Sequence, residues 1–142
     1  MPIRDLAFSK TQVPAARTFS EIEALLLKHD IDEMRITHRG LNDTEREHTL
    51  EFIVTEARLA VRIQLVYPTD PPSKRNSAAR ALYWLLKAKL DGIAYGIETA
   101  EIAWAPYLLG AGNQTLADNP ERIAAAVTRG HVLALPPSKE AP

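Results

Sequence analysis

Across residues 34 to 65 the chain alternates inward-type and polar side chains in three separate runs, and this period of two most limits the folds open to it. Met34, Ile36 and His38 alternate with Arg35, Thr37 and Arg39; Leu50, Phe52 and Val54 with Glu51, Ile53 and Thr55; Leu59, Val61, Ile63 and Leu65 with Ala60, Arg62 and Gln64. Successive side chains of a strand point to opposite faces, so each run reads as a strand with one buried face. Turning the second run into the third at Glu56-Ala57 sets Val54 opposite Leu59, Phe52 opposite Val61 and Leu50 opposite Ile63. The same register places Glu51 across from Arg62 on the other face, a favourable cross-strand pair. Glu-Ala lacks the Asn or Gly of a tight two-residue turn, which leaves a longer turn or a bulge open. Gly40 to Glu47 reads as a polar connection between the first two strands.

Helical periodicity flanks this block. Thr18 with Glu21 predicts a capping box, followed by Ile22, Leu25, Leu26 and His29 on one face of a helix ending near Asp30. After Pro68-Thr69-Asp70-Pro71-Pro72, where prolines stop the sheet, a long helix is predicted from Lys74 to Tyr95. Its core stripe runs through Ala79, Leu82, Leu86, Leu90, Ile93 and Ile97, with Arg80, Trp84, Lys87 and Asp91 on the opposite side. A helix over 98–109 should be kinked or ended early by Pro106, Gly110 to Asn113 should form a loop, and a last helix should begin at Asp118 or Asn119 with Pro120 in its first turn and Gly130 after its end. The expected architecture is α+β, in the order αβββααα: a three-stranded antiparallel sheet with helices packed on one face. Residues 1–17 are expected to form an extended arm, 18–135 a single domain and 136–142 a frayed tail.

Composition then removes several function classes. The chain has no cysteine, so neither a disulfide framework nor a thiolate metal site can form. No apolar run approaches the roughly 20 residues that span a bilayer. Met1-Pro2-Ile3-Arg4-Asp5 does not resemble a secretory signal, and a cytoplasmic protein is expected. His29, His38, His48 and His131 lack the spacing that places two metal ligands on one helical face, and His38 reads as a strand residue burying its ring with one hydrogen bond. No nucleophile elbow, phosphate loop or dinucleotide fingerprint occurs; Gly110-Ala111-Gly112 follows a helical segment, and Asp43, Glu45 and Glu47 fall in a polar connection. No enzymatic activity and no cofactor are expected.

Charge is distributed unevenly. Lys74, Arg75, Arg80, Lys87 and Lys89 crowd the long helix with Asp91 as the acid among them, whereas the following segment is acidic in balance. Such a helix can hold phosphates or can simply be a solvated face. On the outer face of the sheet Arg35, Arg39, Arg58 and Arg62 outnumber Glu33 and Glu51, giving a second phosphate-binding candidate or a set of local ion pairs. Trp84, between Arg80 and Lys87, has three roles open to it: packing inside the chain, anchoring a partner protein, or stacking a base.

Two resemblances add to this reading. The order helix, three strands, helix, with Ser73-Lys74-Arg75-Asn76-Ser77-Ala78-Ala79-Arg80-Ala81-Leu82 opening the second helix, resembles a double-stranded-RNA-binding domain. The likeness implies that Lys74 and Arg75 grip phosphates and that His48 lies near the loop before the second strand. It departs from that family in having prolines before Ser73, a longer second helix and an added segment from 98 to 142. Over most of the chain, Ser9-Lys10-Thr11-Gln12-Val13-Pro14, Thr18 with Glu21-Ile22-Glu23, Ala79 to Leu90, Ala105-Pro106-Tyr107-Leu108-Leu109 and Asn113-Gln114-Thr115-Leu116 resemble a family of phage and prophage proteins that carries no assigned activity. The combined expectation is a non-enzymatic phage-type accessory protein that binds DNA or RNA non-specifically through Lys74, Arg75, Arg80 and Lys87, with Arg35, Arg39 and Arg62 in support. The competing expectation is an assembly module, a homo-oligomer or a partner of a host or phage protein, docking through Trp84, Arg80 and Lys87. No membrane association is expected in either case.

Overall fold

A computed structural model of the chain describes residues 11–122, 124 and 125. Helix α1 (Ala15–Lys28) leads into strands β1 (Met34–Gly40), β2 (Glu45–Val54) and β3 (Leu59–Pro68), then helix α2 (Ser73–Ala94) and the short helix α3 (Ala100–Trp104). The strands form one antiparallel sheet in the order β1-β2-β3. The fold is α+β, as the alternation requires. The β2–β3 register matches the expected one, with Val54 opposite Leu59, Leu50 opposite Ile63 and Glu51 opposite Arg62. The turn is Thr55-Glu56-Ala57-Arg58, and Arg58 at φ 54° supplies the left-handed residue that Glu-Ala alone would lack.

The sheet buries one face. Leu50, Phe52, Val61 and Ile63 pack against Phe19, Ile22, Leu25 and Leu26 of α1 and Ala79, Leu82, Leu86 and Leu90 of α2. Trp104 closes the core from α3, meeting the Phe52 ring edge-on at 5.1 Å.

Several boundaries differ from expectation for identifiable reasons. The arm expected over residues 1–17, of which 1–10 lie outside the described residues, is cut short, because α1 begins at Ala15. Its first amide donates to Asn76 Oδ1 of α2 at 2.9 Å, so a tertiary contact caps the helix. Thr18 is consequently buried inside the first turn, and Glu21 turns to Arg80 and Arg17 instead of closing a capping box. The helix closes in a Schellman motif: Asp30, at φ 62°, donates to the Leu27 carbonyl, and the Ile31 amide donates to that of Leu26 at 2.9 Å. His29 is the residue that caps this end.

The polar connection after β1 is shorter than residues 40–47. Gly40 belongs to β1, and Asn42 Oδ1 accepts from the amides of Thr44 and Glu45 at 2.9 and 2.8 Å, folding the turn tightly enough for β2 to start at Glu45. At the far end of α2, Gly96 at φ 75° stops the helix, so Ile97 leaves the core stripe and stands 78% exposed. Thr99 caps α3 through the Ile102 amide, and the chain turns into a 3-10 segment at Ala105–Tyr107, where Pro106 sits. Gly110 to Asn113 forms a turn, and Thr115 and Asp118 cap each other around a further 3-10 turn. Residues 120–122, 124 and 125 are helical; Gly130 and the predicted tail lie outside the described residues. Among the described residues no helix is long and apolar enough to cross a membrane.

Candidate functional site

The nominated cations separate into those with carboxylate partners and those without. On the outer sheet face Glu51 is a hub: one carboxylate oxygen accepts from Arg35 at 2.7 and 2.9 Å, the other from Arg62 at 3.0 and 3.2 Å. Arg62 also donates to the Asn113 carbonyl and side chain at 3.0 and 2.9 Å, tying the sheet to the later turn. Burial pushes the Glu51 carboxyl up, but the hydrogen bonds and charges of Arg35 and Arg62 outweigh it and hold the group below its ordinary range. Arg39 donates to Glu47 at 3.3 Å, and Thr49 binds the same oxygen at 3.1 Å. The surplus of arginine expected on this face is thereby reduced. Glu47 joins it only because β2 begins earlier than the polar sequence suggests. A polar depression of about 270 Å³ between Thr37, Arg39, Glu47, Arg62, Gln64 and Asn113 therefore has its charges largely balanced.

The basic helix is divided in the same way. Arg80 forms an ion pair with Glu21 of α1, and its guanidinium lies 4.5 Å from the centre of the Tyr83 ring and 5.8 Å from that of Trp84. The hydrogen bond from Arg80 holds the Glu21 carboxyl below its ordinary value, against the smaller effect of burial. Lys87 pairs with Asp91 one turn on, at 3.2 Å, and Lys89 with Glu98 at 3.7 Å. Trp84 is 41% exposed and meets Tyr83 edge-on at 5.4 Å, so it is partly packed and partly presented to solvent. Lys74 and Arg75, in the first turn of α2, have no carboxylate partner among the described residues. That turn contains no acid, and the helix dipole adds to its positive field.

Beside this turn lies a cluster that the sequence did not announce. His38 of β1 and His48 of β2 are cross-strand partners whose Nδ1 atoms stand 2.8 Å apart. Phe19 packs on both rings, at 4.6 and 4.8 Å between centroids, and Tyr67 of β3 lies 4.4 Å from His48. His48 is fully buried, whereas His38, expected to bury its ring, is the more exposed member. Burial, then the neighbouring His38, lowers the His48 pKa to about 4; Arg75 and Arg46 add to this, while the Arg75 backbone carbonyl, accepting from the ring, opposes it. Burial followed by the charges of Arg75 and Arg46 also lowers His38. Arg46 of β2 and Arg75 of α2 thus flank the pair from two elements. Within the cluster, the Tyr67 hydroxyl is buried without a hydrogen-bond partner among the described residues.

Arg46 and Arg75 beside the two imidazoles, with Lys74 next to Arg75 in the chain, form a positively charged end suited to an anion. Continuing the alternation backwards from Leu50 puts His48 and then Arg46 on the inner face, the one sequence signal that leads to this cluster. The polar run around them masks it. Among the described residues no group of His, Asp and Glu is arranged to hold a metal ion.

Comparison with family models, curated proteins and solved structures gives no match.

Proposed function

We propose that this chain is a non-enzymatic accessory protein that binds nucleic acid non-specifically through its phosphates, with the first turn of α2 as the contact. The observation that carries the reading is the contrast along one helix. Arg80, Lys87 and Lys89 already have carboxylate partners, whereas Lys74 and Arg75 have none among the described residues and sit at the positive end of the helix dipole, with Arg46 of β2 near the same histidine pair. The double-stranded-RNA-binding likeness assigns the same two residues to phosphate contact, and the phage-family likeness suggests a setting in which nucleic acid is handled. Gel-shift titration against single-stranded DNA, duplex DNA and duplex RNA at low and high salt tests the proposal. Binding that weakens steeply with salt and is lost in K74A/R75A supports it; no shift with any nucleic acid at low salt overturns it.

The second reading, a partner protein docking on the Trp84 stripe, rests on the half-exposed indole beside Arg80 and Tyr83. Binding of that kind should persist in high salt and fail in W84A.

A further inference from the structure

The sheet has two edges, and they are treated differently. Along β3, Val61 bridges to Leu108 and the Leu109 amide donates to the Ala60 carbonyl at 2.9 Å, so a later segment covers part of that edge. Along β1 nothing comparable occurs among the described residues. The Ile53 amide donates to the Glu33 carbonyl at 3.1 Å, and the Leu41 amide to the Glu45 carbonyl at 3.0 Å. Antiparallel bonds fall on alternate residue pairs, so the odd-numbered residues of β1 point their backbone groups at β2. The amides and carbonyls of Met34, Ile36, His38 and Gly40 therefore face outward, and no hydrogen bond is made to them among the described residues. The strand carries neither the proline nor the bulge that commonly blunts an edge, and its pairing with β2 is unbroken from Met34 to Gly40.

We propose that a second copy of the chain pairs with this edge, β1 against β1 and antiparallel, about a twofold axis at Ile36. Self-pairing must set even-numbered residues opposite even-numbered ones, because these carry the free backbone groups and point their side chains to the inner face. Charge then selects the register. Centring on Arg35 opposes that residue to itself, and centring on Thr37 opposes Arg35 to Arg39, both repulsive. Centring on His38 brings Glu33 opposite Asp43. Centring on Ile36 sets Arg39 opposite Glu33, twice by symmetry, with Arg35 opposite Thr37 and Met34 opposite His38. Glu33 is exposed and has no ion pair among the described residues, and the Arg39 side chain is 63% exposed, with further donors beyond the one given to Glu47. A twofold axis perpendicular to the sheet keeps both helical layers on one side and joins the two sheets through the half-buried Met34 and Ile36.

Light scattering and sedimentation of the full chain test this. A dimer is expected, with E33R and R39E each raising its dissociation constant about tenfold and E33R/R39E together restoring it. Because the chain has no cysteine, I36C reports the axis directly. Oxidised I36C protomers should link to one another, while A88C, on an exposed position of α2, should not. A monomer overturns the proposal, as does a dimer whose mass ignores both charge reversals, or a monomer that takes an acidic extended peptide on this edge instead. Circular dichroism of the variants separates loss of pairing from loss of fold. This edge is distinct from the first turn of α2, so nucleic-acid binding can fail without affecting the result.

Discussion

His38 and His48 face each other across β1 and β2 with their Nδ1 atoms 2.8 Å apart, and that single contact fixes which protons the pair can hold. With both rings neutral, one Nδ1 donates and the other accepts. A proton added at the more exposed His38 preserves the bond. A second, on buried His48, sets N–H against N–H, consistent with a His48 pKa of about 4.

Between the ordinary histidine value of 6.5 and about 4 the unfolded chain therefore binds more protons than the folded one. Stability from this group is complete above about pH 6.5 and is lost as pH falls toward 4, by roughly 3 kcal/mol for a shift of this size. Urea unfolding at pH 7 and pH 4.5 should show the loss, and H48L should flatten it. The lowered carboxyls of Glu21 and Glu51 add a separate decline below about 4.5.

Removing Glu51 should cost more than removing its exposed partner Arg35. The Arg62 side chain is 16% exposed, so Glu51→Ala leaves a largely buried guanidinium short of its counter-charge, at about 2–4 kcal/mol. The Arg35 side chain is 72% exposed, and R35A should cost under about 1 kcal/mol. Chemical denaturation of the two variants checks the ranking; equal costs would mean that Arg62 is not held as described.

The two tryptophans should report different environments. Trp104 is 1% exposed and Trp84 41%, so W84F should emit at shorter wavelength than W104F and resist acrylamide quenching. Loss of Trp104 packing on Phe52 should also lower stability by about 1–3 kcal/mol, whereas W84F should change it little.

If the first turn of α2 holds phosphates, K74A/R75A should reduce the slope of log affinity against log salt by roughly two. R80Q should leave that slope unchanged, because Arg80 is engaged with Glu21, and should instead lower the melting temperature by loosening α1 against α2.

Much of the sheet was legible because alternation is a local property. Leu50, Phe52 and Val54 against Leu59, Val61 and Ile63 can be aligned on paper, and Arg62 then falls opposite Glu51. The start of β2 was not legible: Glu45, Arg46 and Glu47 have the composition of a loop, and only pairing with β1 and β3 makes them strand. The candidate site suffered from that same boundary, since His48 and Arg46 enter it only once they belong to β2.

The sequence by itself determined the α+β class, the β2–β3 register, the core stripe of α2 from Ala79 to Leu90 and the stop at Pro106, since periodicity, proline and glycine act within a few residues of themselves. Tertiary structure alone decided which charges remain available. A cation's freedom depends on the carboxylates that distant segments bring beside it: Glu21 of α1 reaches Arg80, while Glu47 reaches Arg39 across β1 and β2. Asn76 likewise capped α1 from the other helix, and the histidine pair arose where β1 and β2 aligned. These contacts depend on how helices and strands pack and pair, and no spacing along the chain encodes them.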